Sequence, residues 1–167
     1  MADLAIDSAG NLFGFLEPGS DDLYSISKAT GLATLVGDSP SSAVSGIAFN
    51  SADVLYFEDV GTLHTLSTVT GASLGIIGSS GLLLGMGVAF DPADVLYALE
   101  RIGTGVGGAR ALYTVDTTTG AATFIGATTG GMDALEFVSV PAPATLLLLA
   151  AGLAGIGFTR RRQRAAA

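Results

Sequence analysis

The residues that could carry chemistry in this chain are acidic and amide side chains that return at a fixed spacing. Asn50 precedes Asp53 by three residues, and Asp91 precedes Asp94 by the same step. Calcium takes about six to eight oxygen ligands, and paired side chains of this kind could supply some of them. Asn and Asp are also frequent turn formers between strands. We favour turns over calcium at these four positions, and we predict no metal site and no cofactor.

Other catalytic side chains are scarce. The chain has no cysteine, which excludes a thiolate nucleophile, a disulfide and a Cys-ligated metal. The single histidine, His64, stands where two similar segments of the chain carry Tyr24 and Tyr113. Because aromatic residues fill the equivalent positions, we expect His64 to pack within a sheet rather than to act as a general base.

Two carboxylate pairs and one glycine-rich segment are the remaining candidates for an active site. Carboxylate pairs can do acid–base work, but the sequence gives no reason to prefer that role over a solvated surface. The pairs are Glu58 with Asp59 and Asp94 with Glu100. The segment Gly103–Gly108 has the glycine content of a phosphate-binding loop, but a strand-like run follows it, so we predict a long hairpin loop. We therefore predict that the chain is not an enzyme.

These candidates belong to a sequence unit that is repeated three times, at residues 4–37, 46–78 and 87–126. Each unit contains four short runs, and in several of them apolar and polar residues alternate, as in half-buried strands. A Thr-Gly pair precedes the last run of each unit, where glycine can adopt a positive φ. Four short strands at a period of about 40–45 residues are typical of a β-propeller blade.

Residues 132–138 match the first strand of a fourth unit and then meet a proline-containing linker. We predict that residues 1–139 form an all-β domain of three four-stranded blades plus one strand. Closed propellers have at least about four blades, so we expect this domain to be part of a larger propeller. An open arc and a self-associating half-ring are the alternatives. The repeat pattern resembles those of bacterial propeller families, a resemblance that implies a fold and no particular activity.

Charge is distributed unevenly along the chain. All 15 acidic residues precede Pro141, where only Lys28, Arg101 and Arg110 oppose them, so this part carries −12. Phosphate backbones are bound by clustered Lys and Arg, which the domain lacks, so we expect no nucleic-acid partner.

The C-terminal part has three sections in a fixed order. Residues 140–143 form a proline linker, residues 144–159 are apolar, and residues 160–167 form a basic tail. As a helix the apolar section would reach about 22–24 Å, near the lower limit for a membrane span. The apolar residues of this predicted helix are Leu146, Leu147, Leu148, Leu149, Gly152, Leu153, Gly155, Ile156 and Phe158. The basic residues that would stop it on the cytoplasmic side are Arg160, Arg161, Arg162 and Arg164.

With Val140, Pro141, Ala142 and Pro143 ahead of the apolar and basic sections, this part resembles the PEP-CTERM sorting signal of Gram-negative bacteria. That family most often carries Glu where this chain has Ala142. The resemblance implies an exosortase-like membrane enzyme as a partner and the four residues 140–143 as its recognition element. It also implies that the chain inserts through its C-terminal helix with the domain outward, and is then sorted to the cell surface.

An outward-facing domain needs an export signal, and the chain begins Met-Ala-Asp-Leu-Ala-Ile-Asp, without a basic or apolar leader. We expect that the sequence lacks an N-terminal portion. The function we predict is a binding or structural module of the cell surface or exopolysaccharide layer, with exopolysaccharide or envelope components as partners. The alternatives are an exported propeller enzyme acting on carbohydrate and a permanently anchored inner-membrane protein.

Overall fold

The protein was analysed as a computed structural model, which describes residues 3–15, 22–39, 44–83, 85–103, 108–128, 130, 132 and 134–137. Strands account for most of these residues. In chain order they are β1 (Leu4–Ile6), β2 (Leu12–Phe15), β3 (Asp22–Ile26), β4 (Ala33–Asp38), β5 (Val44–Phe49), β6 (Leu55–Asp59), β7 (Thr62–Leu66), β8 (Ser73–Ser79), β9 (Gly85–Phe90), β10 (Leu96–Arg101), β11 (Arg110–Val115) and β12 (Ala122–Thr128).

The strands form three four-stranded sheets, and each sheet is built from four strands that follow one another along the chain. Sheet 1 contains β1–β4, sheet 2 contains β5–β8 and sheet 3 contains β9–β12, and all neighbouring strands are antiparallel. The all-β, propeller-like arrangement of four-stranded repeats predicted from the sequence is therefore confirmed.

The Thr-Gly pairs close the turn between the third and fourth strands of every sheet. Gly31, Gly71 and Gly120 have φ values of 72°, 74° and 78°. Each donates its backbone N–H to the carbonyl oxygen four residues earlier, at Ser27, Ser67 and Asp116 respectively. Glycine adopts this left-handed conformation without the steric cost that a Cβ would add. The turns therefore form as the sequence predicts.

Two hydrophobic cores lie between the sheets. The first joins sheets 1 and 2 and includes Phe15 and Leu23 with Ile47 and Phe57. The second joins sheets 2 and 3 and includes Leu63 with Val88 and Leu96. Because alternate residues of a strand point to opposite faces, sheet 2 contributes side chains to both cores. Each sheet is thus stabilised by its neighbours.

The prediction of a strand at residues 132–138 is corrected by the structure. The residues described there, 132 and 134–137, form no strand. A strand needs a neighbouring backbone with which to pair, and this segment is placed instead by a side-chain contact. The ring of Phe137 lies 5.0 Å from that of Tyr97, just as Phe90 lies 5.1 Å from Tyr56 one sheet earlier. We call the first strand of each sheet its innermost strand. The segment 134–137 therefore has the packing role of a fourth innermost strand without its backbone ladder.

No helix long and apolar enough to cross a membrane is found within the part of the chain that the structure describes. The linker predicted at 140–143, the helix at 144–159 and the basic tail at 160–167 lie outside the described residues.

Candidate functional site

An open cavity of about 410 Å³ is lined by residues of β1, β5 and β9, the first strands of the three sheets, together with Leu12 and residues 134–137. Its wall is mostly apolar because the repeats place Ile, Val, Ala and Phe side chains on these strands. Asp3 and Glu136 are the two charged residues among those that line it. The cavity therefore offers an apolar surface with two carboxyl groups, which suits a ligand bearing hydroxyl groups or a positive charge.

Asp3 also joins the first two sheets. Its Oδ1 accepts a hydrogen bond from the backbone N–H of Leu4 at 2.8 Å, and its Oδ2 accepts one from Ile47 at 2.9 Å. Burial raises the pKa of Asp3 above its usual value; the two backbone hydrogen bonds act in the opposite direction, and Glu136 adds a smaller increase. Sequence analysis did not identify this residue, because its role depends on a contact between sheets.

The Asn and Asp residues considered as calcium candidates lie in the turns between the first two strands of sheets 2 and 3. The side-chain Oδ1 of Asn50 accepts hydrogen bonds from the backbone N–H groups of Ala52 and Val54. Asp91 accepts from the equivalent groups of Ala93 and Val95. Among the described residues no group of three or more His, Cys, Asp or Glu side chains lies together as a metal site would require. The turn interpretation accounts for these contacts.

Asp53 and Asp94 have a different role, since each connects its own sheet to the preceding one. Ser8 donates both its backbone N–H (2.8 Å) and its Oγ (2.5 Å) to the carboxylate of Asp53. Ser51 donates in the same way to Asp94. Both aspartates have positive φ, 57° and 60°. The hydrogen bonds to Ser51 lower the pKa of Asp94.

A buried carboxyl group lies at the junction of sheets 2 and 3. Glu58 is only 1% exposed, its Oε1 accepts a hydrogen bond from the hydroxyl of Ser80, and its Oε2 has no hydrogen-bond partner. Burial raises its pKa to about 7; the Ser80 hydrogen bond lowers it, and the charges of Asp59 and Glu100 raise it further. A group that titrates near neutral pH can transfer protons, although burial limits its access to substrate.

The structure regroups the carboxylates that sequence analysis paired. Glu58 and Asp59 are neighbours on β6 and so lie on opposite faces of sheet 2. Asp94 lies in the turn before β10, whereas Glu100 lies near the other end of that strand. Glu100 instead lies close enough to Glu58 to affect its pKa, and it accepts a hydrogen bond from the backbone N–H of Leu83 at 3.1 Å.

His64 stacks on Phe57 with ring centroids 4.6 Å apart. Its Nδ1 is buried without a hydrogen-bond partner, and burial lowers its pKa. This environment favours a neutral, packed imidazole. The glycine-rich segment after Gly103 lies in the hairpin between β10 and β11, where Ile102 and Gly103 both donate to the carbonyl oxygen of Ala109. Residues 104–107 of that loop are outside the described part.

Similar folds occur in solved structures. The chain resembles one from the crystal structure of a nidogen/laminin complex, with a TM-score of 0.59 and 14% identity over 75% of this chain and 48% of the other. It also resembles a luciferin-regenerating enzyme, with a TM-score of 0.51 and 15% identity over 84% of this chain and 50% of the other. The chain spans about half the length of these proteins, and at such low identity the likeness shows the fold alone. No curated protein matches the chain.

The C-terminal residues give a more specific match. The linker, apolar section and basic tail were predicted to act together, and a single sequence motif covers the linker, the apolar section and the first three arginines of the tail. This motif implies export and processing by exosortase, a membrane enzyme. Residues 139–163 carry the PEP-CTERM protein-sorting motif.

Proposed function

We propose that this chain is an exported protein of the cell surface or exopolysaccharide layer, in which the three sheets form a non-catalytic binding module. The observation that carries the proposal is the sorting motif at residues 139–163, attached to a propeller-like domain. The resemblance implies roles within the motif: Pro141 and Pro143 are recognised, the apolar section inserts into the membrane, and the arginines hold its end in the cytoplasm.

The binding role of the module rests on the central cavity. The side chains that line it are apolar except for the carboxyl groups of Asp3 and Glu136. Asp3 is already engaged by two backbone N–H groups, which leaves Glu136, an exposed residue, as the carboxylate available to a ligand. Phe49, Phe90 and Phe137 add ring surfaces, and aromatic rings with nearby carboxylates can bind polyhydroxylated ligands. A sugar polymer of the extracellular layer fits this chemistry.

The enzyme alternative depends on Glu58 and Glu100, the carboxyl groups that the structure brings near one another. Glu58 lies between two sheets rather than in the cavity, and it is almost fully buried. A sugar polymer could reach it only if the sheets separated. We therefore assign Glu58 to the junction and retain the binding role for the cavity.

The sorting proposal is tested by changing the two prolines of the motif in the chromosomal gene. Pro141→Ala with Pro143→Ala should leave the chain in the inner membrane with an intact C-terminus, whereas the wild type should lose Arg164 on maturation. Cell fractionation and mass spectrometry of the C-terminal peptide measure both results. Ala142→Glu, which restores the residue most frequent in the family, should increase the processed fraction.

Pro92→Ala is the matched control, since it makes the same chemical change in a turn of sheet 3 and should not alter sorting. A surface-exposed wild-type chain that still contains Arg164 would contradict cleavage and favour a permanent anchor. To separate binding from catalysis, the host's exopolysaccharide is incubated with the full chain. Co-sedimentation without release of new reducing ends supports a binding module, and release of reducing ends supports the enzyme alternative.

A further inference from the structure

The two junctions between sheets share one close backbone contact. A Cβ atom added to Gly37 in β4 would lie 1.9 Å from the carbonyl oxygen of Thr70, and one added to Gly78 in β8 would lie 2.0 Å from that of Thr119. No side chain fits at such distances. Glycine at the end of the fourth strand therefore lets the Thr-Gly turn of the next sheet pack directly against the backbone.

The contact has two parts, a glycine in the fourth strand and a Thr-Gly turn in the next sheet. In the described part of the chain, sheet 3 has such a glycine without a turn against it, and sheet 1 has such a turn without a glycine against it. Gly126 in β12 has the position of Gly37 and Gly78, yet a Cβ added there would meet no atom within 4 Å. Gly31 has the turn position and positive φ of Gly71 and Gly120, and it too has open space around it. Among the described residues of sheet 3, no Thr-Gly turn packs against Gly126. In sheet 1, the turn at Gly31 packs against no fourth-strand glycine that the structure describes.

The apolar side chains around these two positions show the same pattern. On the outer face of sheet 3, Ile125 is 51% exposed, whereas the equivalent Val36 and Ile77 pack against the two cores. On the outer face of sheet 1, Leu4 is 50% exposed, whereas the equivalent Ile47 is 1% exposed. We call the first surface, Leu112, Ile125 and Gly126, the trailing face. The second, Leu4, Ile6, Leu12, Ile26 and Gly31, is the leading face.

We propose that the trailing face binds the leading face of a second copy of this chain, forming a third junction of the type seen twice within the molecule. The occupant follows from complementarity, since each face carries the half of the contact that the other lacks. A head-to-tail contact of this kind closes into a ring when the rotations match.

The segment 134–137 must move when this junction forms. In the single chain Phe137 covers Tyr97, the place that an innermost strand of the next sheet would take. In the pair of chains, β1 of the second copy takes that place, with Ile6 on Tyr97. The displaced segment forms no strand, so no backbone ladder is lost, although the contact of Phe137 with Tyr97 is given up. Because Glu136 and Phe137 also line the cavity, this junction and the ligand binding proposed above exclude one another.

The proposed junction between two copies lacks the Ser–Asp hydrogen bonds that each internal junction has. Pro92 stands at the position of the donors Ser8 and Ser51, and Gly10 stands at the position of the acceptors Asp53 and Asp94. Because donor and acceptor are both absent, neither is left unpaired. The third junction should therefore be weaker than the internal two, and it should be strengthened by restoring the pair.

The test is sedimentation equilibrium of the full chain in micelles of a mild detergent. We expect a monomer–dimer equilibrium whose dissociation constant rises about tenfold or more in Gly126→Ala, because the new Cβ meets the Thr30 carbonyl of the second copy. Gly75→Ala is the matched control: it lies in β8 in open space, away from any junction, and should leave the constant unchanged. This test does not depend on sorting or on ligand binding.

A second variant is designed to strengthen the contact. Pro92→Ser combined with Gly10→Asp should lower the dissociation constant about fivefold, since each alone provides only half of the hydrogen-bonded pair. Aspartate is tolerated at this φ, as Asp53 and Asp94 show. A chain that stays monomeric overturns the proposal, and so does a dimer that Gly126→Ala leaves intact, which would associate through its C-terminal part. A double variant that binds no more tightly than the wild type overturns the proposed register.

Discussion

The two internal junctions differ in the character of one buried position, where the chain carries Phe15 in sheet 1 and Glu58 in sheet 2. Both side chains are buried, at 0% and 1% exposure. Phe15 stacks on Phe57 with ring centroids 6.2 Å apart, so the first junction is apolar there. Glu58 faces sheet 3, with Ser80 as its hydrogen-bond donor and Glu100 nearby. The same backbone thus supports one apolar junction and one that contains an ionisable group.

This difference shows that the repeat fixes the backbone contact more strictly than the side chains. Glycine recurs at the close approach in both junctions because backbone atoms leave no space. The position of Phe15 and Glu58 accepts either residue, provided that the volume is filled and the carboxyl group has a partner. The first junction should therefore be sensitive to loss of volume and the second to pH.

The largest expected effect comes from Phe15→Ala, which removes a fully buried ring from the first core. We expect a loss of about 3–5 kcal/mol in the free energy of unfolding, measured by urea unfolding followed by circular dichroism. Phe124→Ala is the control, since this phenylalanine is 58% exposed and should change stability by less than about 0.5 kcal/mol. Equal losses in the two variants would contradict the assignment of the core to the space between sheets.

The second prediction concerns pH and Glu58. Its pKa is raised from an ordinary value of 4.5 to about 7 in the folded chain. Between these values the folded state holds a proton that the unfolded state has released, so stability should fall as pH rises from about 4.5 to 7 and then level off. The shift corresponds to a loss of stability of about 3 kcal/mol across this range. Unfolding in urea across this pH range measures the change.

Glu58→Gln should remove most of this pH dependence, since the amide cannot titrate and its oxygen can still accept from Ser80. Glu136→Gln is the control, because Glu136 is exposed. This variant should show the same change in the free energy of unfolding with pH as the wild type. A slope that survives in Glu58→Gln would assign the dependence to another group, such as Asp3, whose pKa is also raised.

The smallest expected effect tests what the two junctions share. Ser8→Ala and Ser51→Ala each remove the hydroxyl hydrogen bond to an aspartate of the next sheet. Both contacts are exposed, so each variant should lose about 1 kcal/mol, and the two losses should be similar. Urea unfolding at one pH is the measurement. A much larger loss at one serine than at the other would show that the two contacts are not equivalent.

Much of the fold could be predicted from the sequence because its signals are local. Alternation of apolar and polar residues predicts strands, and the Thr-Gly pairs predict turns that require positive φ at Gly31, Gly71 and Gly120. The repeat then gives the four-stranded sheets. The sorting motif is equally local, since the order of prolines, apolar residues and arginines in residues 139–163 is itself the signal.

Tertiary structure decided the contacts between repeats. The Ser8–Asp53 contact, the burial of Glu58 and the role of Asp3 all join residues of different sheets, or depend on what covers them. Residues 134–137 show the same limit: their sequence matches an innermost strand, but strand formation needs a partner backbone, and these residues form no strand although Phe137 contacts Tyr97. Sequence by itself determined the repeated four-stranded unit and the C-terminal sorting motif. The packing of one unit on the next determined which carboxyl groups are buried, bridged or open to a ligand, because burial depends on the neighbouring sheet.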